Sequence, residues 1–137
     1  MPHRRASGAA RVVCSQPEGM NRAREGGSTQ VFPSVVTPYG DQEGLGLVPV
    51  EALACCCAVV ASALPAVRDV IEDKKTGLLV PAGDPAQLAE ALHVLLWDKP
   101  LCARLALAGR VDVTARFDWD RIAGRYAALL DRITQRA

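Results

Sequence analysis

Beyond residue 30, short apolar runs alternate with helical stripes along the chain. Val31 to Ser34 reads as the end of a strand closed by Pro33, and the turn-rich Thr37-Pro38-Tyr39-Gly40-Asp41 follows it. Leu47, Val50, Leu53 and Ala54 recur at the i, i+3, i+6, i+7 spacing of a buried helical face, which predicts a helix from about Leu47 to Cys55. Ala58-Val59-Val60-Ala61 is a short β-branched run suited to a parallel strand buried on both sides. Leu64 to Ile71 predicts a short helix and Thr76 to Val80 the next strand. Asp84-Pro85 is an N-cap followed by proline at the first helical position, and it opens a helix with Leu88, Leu92, Leu95 and Leu96 on one face, ending near Trp97. Pro100 starts another helix through Leu101 and Leu105, with Gly109 expected to interrupt it. Asp118 is expected to cap the last helix, where Ile122, Tyr126, Leu129 and Ile133 keep helical spacing.

Alternation of strand and helix predicts an α/β fold: a partial Rossmann-like parallel sheet with flanking helices. Residues 1–30 have neither periodicity and are rich in Gly, Ser, Pro and Arg. They cannot bury enough surface to offset their ordering entropy, so a disordered tail is expected there and one partial domain over 31–137.

Composition narrows this picture. With 137 residues, half of them apolar, the chain has room for one modest core built from Leu, Val and Ala. A net charge of +1 argues against nucleic acid as a partner. Its basic excess lies in residues 1–30, where five Arg face Glu18 and Glu25. A basic arm for nucleic acid or anionic lipid is the functional alternative to a solvated tail. No apolar run approaches a membrane span, and the basic start lacks the apolar core of a secretory signal. Five Cys, three of them contiguous at Cys55-Cys56-Cys57, do not make a disulfide framework. Reduced thiols in a cytoplasmic protein fit better. Neighbouring side chains on a helix diverge, so the three read as structural thiols and not as a metal site. His93 falls opposite the leucine stripe and reads as a surface residue.

Candidate chemistry sits between Asp41 and Ser62. A loop with Glu43, Gly44 and Gly46 leads into a helix start, where free N–H groups and the positive end of the helix dipole suit a phosphate or developing anion. Eight positions after Glu43, on the helix, comes Glu51; two carboxylates are acceptors for sugar hydroxyls. The plainer alternative makes Glu51 an ordinary surface acid and leaves the glycines to the turn alone.

Glu43, seven residues, Glu51, then A-C-C-C-A-V-V-A-S and T-G-L-L-V-P-A-G-D-P resemble, in order and spacing, the donor-binding half of retaining glycosyltransferases with the GT-B fold (glycosyl transferases group 1, the family-four type). The R-F-D-W segment at Arg116 to Trp119 adds to the likeness, which runs from Val31 nearly to the end. It implies a carboxy-terminal GT-B domain of a hexosyltransferase type. Such an enzyme transfers sugar from a nucleotide-diphosphate sugar donor to an acceptor with retention, without a metal or other cofactor. By this resemblance Glu43 contacts the donor sugar as the catalytic acid and Glu51 holds the ribose hydroxyls. Backbone N–H groups of Gly44, Leu45 and Gly46 hold sugar or phosphate oxygens. The family usually has glycine where Cys56 stands and proline where Ala58 stands. Cys56 is therefore expected in a left-handed turn at a cost of roughly 1 kcal/mol.

The resemblance also implies an Arg and a Lys on the leaving diphosphate and an amino-terminal domain for the acceptor, neither matched before Val31. The chain is therefore expected to be a fragment that turns over slowly alone. Its Val31 strand should have an unpaired edge, and its last helix, which crosses to the amino-terminal domain in such proteins, an unpartnered stripe. The alternatives are a nucleotide-sugar-binding subunit completed by an amino-terminal domain on another chain, and a remnant without function.

Overall fold

Three short parallel strands, β1 (Thr29–Phe32), β2 (Ala58–Ser62) and β3 (Leu78–Val80), lie side by side in the order β1-β2-β3. The computed structural model describes residues 28–41 and 46–135, so most of the expected tail lies outside the described residues. Helices α1 (Leu47–Ala54), α2 (Pro65–Arg68), α3 (Pro85–Trp97), α4 (Lys99–Arg116) and α5 (Trp119–Thr134) complete the α/β layer.

Strand β2 is the centre, and all five of its residues are buried. A strand's side chains alternate between faces, and here each face meets its own core. Val59 and Ala61 pack with Ala52 and Leu53 of α1, with Val67, Val70 and Ile71 in and after α2, and with Val113. Ala58 and Val60 pack with Val80, Leu95, Cys102, Leu105 and Ala106. Burying each of the larger aliphatic side chains contributes about 2 kcal/mol. Helix α4 serves both cores, the second through Cys102 and Leu105 and the first through Val113.

Gly109, expected to interrupt this helix, is instead buried within it. A Cβ at Gly109 would stand 2.4 Å from Leu53 Cδ2 and 2.8 Å from the Thr76 carbonyl oxygen. The residue is small because α1 and the turn before β3 press on that point. Strand β1 also differs from expectation. It spans Thr29–Phe32 rather than starting at Val31, with Thr29 opposite Ala58, and the Ala58 N–H donates to Ser28 O at 2.9 Å. Pairing with β2 carries polar Thr29 and Gln30 into the sheet, which moves the expected tail boundary back by at least two residues. Among the described residues β1 pairs only with β2 and forms one edge.

Helix α1 is turned differently from the expected stripe. Pro49, Ala52 and Leu53 are buried, Val50 is half-buried, and Leu47 and Ala54 are exposed. Its sequence, L-V-P-V-E-A-L-A, is apolar nearly all round, so several stripes are equally available; contact with both the sheet and α4 selects one. At its end the Cys56 N–H donates to Leu53 O and the Cys57 N–H to Ala52 O, both at 2.9 Å, the paired bonds of a Schellman motif. Cys56 is the left-handed residue of that motif, with φ 62°, as expected from sequence. Cys55, Cys56 and Cys57 are half-buried, and Cys102 is buried.

Asp84 accepts from the Gln87 N–H at 3.0 Å and Asp118 from the Arg121 N–H at 3.1 Å, so both expected caps form. Asp98 adds a third cap, from the Leu101 N–H at 2.8 Å. Predicted to extend to Ile71, α2 closes at Arg68, and a turn carries Val70 and Ile71 into the core. Arg116 ties the end of α4 to that turn, donating to Asp69 O at 2.9 Å and Val70 O at 2.8 Å while pairing with Asp112 at 2.9 Å.

Candidate functional site

The carboxyl ends of β1, β2 and β3 share one side of the layer, the side on which open α/β sheets take ligands. Helix α1 begins there, after the loop that follows β1. Its N-cap is Gly46, buried, with φ −70° and ψ 89°. A Cβ at Gly46 would lie 3.3 Å from the Pro49 ring and 3.8 Å from the Phe32 ring, so the loop arrives in close contact with both. Among the described residues no side chain caps this helix, and no acid occupies its first turn. Pro49 has no N–H, which leaves the first-turn N–H groups of Leu47 and Val48 and the positive dipole end for an acceptor from outside the helix.

Glu43, Gly44 and Leu45 lie outside the described residues. Gly46 and Glu51 are both placed on α1, Gly46 at its tip and Glu51 in the second turn. Glu51 is exposed, and no ion pair or side-chain hydrogen bond engages it among the described residues. Its backbone carbonyl accepts the Cys55 N–H at 2.9 Å, so the helix is closed below it while its carboxylate stays in solvent.

A groove of about 180 Å³ opens at the same strand ends, lined by Pro33, Val35, Ser62, Val80, Pro81, Gly83 and Asp84. Reading the sequence missed this groove. Its one signal was that Pro33 and Pro81 each close a strand, and nothing local showed that the two prolines lie together. The Asp84 carboxyl is held below the usual carboxylate range, first by the hydrogen bond from the Gln87 N–H and then by the Gln87 side-chain amide. That carboxylate is occupied as a helix cap. His93 is exposed, with its ring 5.9 Å from that of Trp97. Among the described residues no group of three His, Cys, Asp or Glu side chains is placed to hold a metal ion. No helix among them is long and apolar enough to cross a membrane.

Among the described residues the arrangement is a helix tip without a side-chain cap at the strand ends, an acid one turn above it and a separate groove at the same strand ends. Residues 28–112 match the model of the family described as glycosyl transferases group 1. The chain belongs to that family. It is 42% identical over 91 residues to the phosphatidyl-myo-inositol mannosyltransferase of Mycobacterium leprae, an alignment covering 66% of this chain and 24% of that protein. Among solved structures, sucrose-phosphate synthase from Thermosynechococcus elongatus superposes with a TM-score of 0.71 at 34% identity, covering 80% of this chain and 26% of that one. HepE of Anabaena, solved in complex with UDP-glucose, gives 0.69 at 25% identity, covering 77% and 28%. The partial Rossmann-like sheet with flanking helices is thus that of a GT-B glycosyltransferase. This chain spans about a quarter of the length of the curated relatives it matches.

Proposed function

We propose that this chain supplies the donor-holding part of a glycosyltransferase that moves a hexosyl group from a nucleotide-diphosphate sugar to an acceptor with retention of configuration. The observation that carries the reading is the open tip of α1 at the strand ends, with Glu51 exposed one turn along. Glu51 accepts hydrogen bonds from the ribose hydroxyls. The N–H groups from Gly44 to Gly46 and the helix dipole hold sugar or diphosphate oxygens, and Glu43 contacts the transferring sugar. Supporting this, the HepE structure that resembles the chain was solved with UDP-glucose.

In this reading the residues hold the donor without a metal ion. Neutralising the departing diphosphate requires cations beyond this site, so the chain alone turns over slowly and the acceptor comes with an amino-terminal domain.

Calorimetric titration with UDP-glucose and GDP-mannose, with and without EDTA, tests the reading. The expected result is binding to one of them, insensitive to EDTA and weakened at least tenfold by Glu51→Ala, a loss of about 1.4 kcal/mol. The surface substitution Glu72→Ala should leave it unchanged. Equal binding by wild type and Glu51→Ala would remove Glu51 from the site, and no binding to either sugar nucleotide would end the donor reading.

A further inference from the structure

The groove at the strand ends has a floor and a rim that holding the donor leaves unused. Its floor includes Ser62, the last residue of β2, which is 3% exposed. Side chains alternate along a strand, so Ser62 shares the face of Ala58 and Val60, whose core contains Leu95 and Leu105. Helix α1 packs on the other face, against Val59 and Ala61. The groove and the tip of α1 therefore stand on opposite faces of one strand end. The Ser62 carbonyl accepts the Leu64 N–H at 2.8 Å, but among the described residues no hydrogen bond engages the Ser62 hydroxyl. A buried hydroxyl without a partner is uncommon. No side-chain nitrogen or oxygen among those residues is both fully enclosed and unpartnered, so the Ser62 Oγ keeps an opening into the groove that the residue lines. At the rim the Asp84 oxygens accept from the Gln87 N–H at 3.0 Å and from the Gln87 side-chain amide at 2.9 Å. A carboxylate offers about four acceptor positions, so about two remain. The walls between are apolar: Pro33 and Val35 after β1, Pro81 and Pro85 around the turn after β3, and Leu88 of α3.

We propose that this groove is a subsite for one uncharged pyranose ring, a sugar unit other than the hexose of the donor. Its volume of about 180 Å³ is below the roughly 300–1,000 Å³ of sites that enclose drug-sized ligands, and suits a single ring. No Lys, Arg or His lines it among the described residues, and the Asp84 carboxylate repels a phosphate or another carboxylate. A wholly apolar ring would leave the Ser62 hydroxyl without a partner once water is expelled. An ammonium group would lose hydration against three prolines, a valine and a leucine. A pyranose meets both kinds of surface. Its ring C–H groups lie on the apolar walls, while the hydroxyls along its edge pair with Ser62 Oγ and donate to Asp84. No residue of α1 is involved, so the subsite stands or falls apart from the donor reading.

Saturation-transfer-difference NMR on the full chain tests this, with methyl α-glucopyranoside and methyl α-mannopyranoside as probes and no sugar nucleotide present. One of the two should show transfer, strongest at its ring C–H protons. Its affinity should fall at least threefold in Ser62→Ala and be lost in Val35→Trp. Val35 is 54% exposed, so a larger side chain there can fill the groove without entering either core. Thermal unfolding should show both variants folded. No transfer from either glycoside, or an affinity unchanged in both variants, would overturn the subsite. So would equal affinity for cyclohexanol, which has a ring without the row of hydroxyls. Displacement of the glycoside by UDP-glucose would make the ring the donor's own and overturn it as well.

Discussion

Helices α4 and α5 follow one another across Phe117 and Asp118, yet they stand in opposite relations to the rest of the chain. In α4 the apolar residues show little regular segregation, but Cys102, Leu105, Ala106, Gly109 and Val113 are buried. In α5 the apolar and charged faces part cleanly, and nothing is buried. An apolar stripe shows that a helix has a face to cover. It does not show that the same chain covers it. Burial in α4 comes from shape: a glycine at the crossing lets Leu53 and the Thr76 carbonyl approach the helix backbone. Helix α1 is held through that same crossing, so the packing of α4 reaches the candidate site while that of α5 does not.

The largest effect expected from this contrast is at Gly109. Gly109→Ala places a methyl group against a backbone carbonyl that cannot rotate away, and should cost about 3 kcal/mol in urea unfolding. An unchanged midpoint would show that α1 and α4 are not closely packed there. Next comes Arg116→Ala, which removes two hydrogen bonds to the carbonyls after α2 and should cost about 2 kcal/mol by the same measurement. Arg116→Lys, lacking the forked geometry, should recover only a fraction of it. A gain is expected at Cys56, where glycine relieves the left-handed backbone. Cys56→Gly should raise stability by about 0.5 kcal/mol, the relief of about 1 being offset by lost side-chain contact. A loss there would mean that the half-buried thiol contributes more than the turn costs.

Smaller still is the effect of Leu129→Gln on α5, expected within about 0.5 kcal/mol of zero. A cost near that of a core leucine would show that α5 is covered after all. The last prediction is a pH dependence at the Asp84 cap. Its folded pKa is depressed, so its contribution is present above the unfolded value of about 3.9 and is lost as pH falls through the folded value. The stability difference between wild type and Asp84→Ala should therefore shrink on acidification below that range and stay flat from pH 5 to 8. A difference that persists unchanged at the lowest accessible pH would remove the carboxylate as its source.

Much of the molecule was legible in the amino-acid order because the signals are local. The Asp84 and Asp118 caps, the run from Ala58 to Ala61 and the final stripe each depend on residues within a turn or two. The left-handed Cys56 was expected from the resemblance, which usually has glycine at that helix end, and the two backward hydrogen bonds there bear it out. The resemblance carried by Glu43, Glu51 and the segments after them led to the family and the fold. What stayed hidden depends on contacts between distant residues. The rotation of α1 could not be chosen from a segment that is apolar on nearly every side. Gly109 has the look of a helix breaker until Leu53 is set against it. Thr29 and Gln30 are too polar to suggest a strand until Ala58 pairs with them. The groove needs Pro33, Ser62 and Pro81, which only the parallel sheet brings together.

By itself, then, the order of residues determined which segments are helix or strand, where three helices are capped or turned, and which family the chain resembles. Tertiary structure decided which faces are covered, how far β1 extends and that the tip of α1 and the groove both stand at the strand ends. The division has one physical cause: hydrogen bonds and turn conformations act over a few residues. Burial is settled by surfaces that meet from anywhere in the chain.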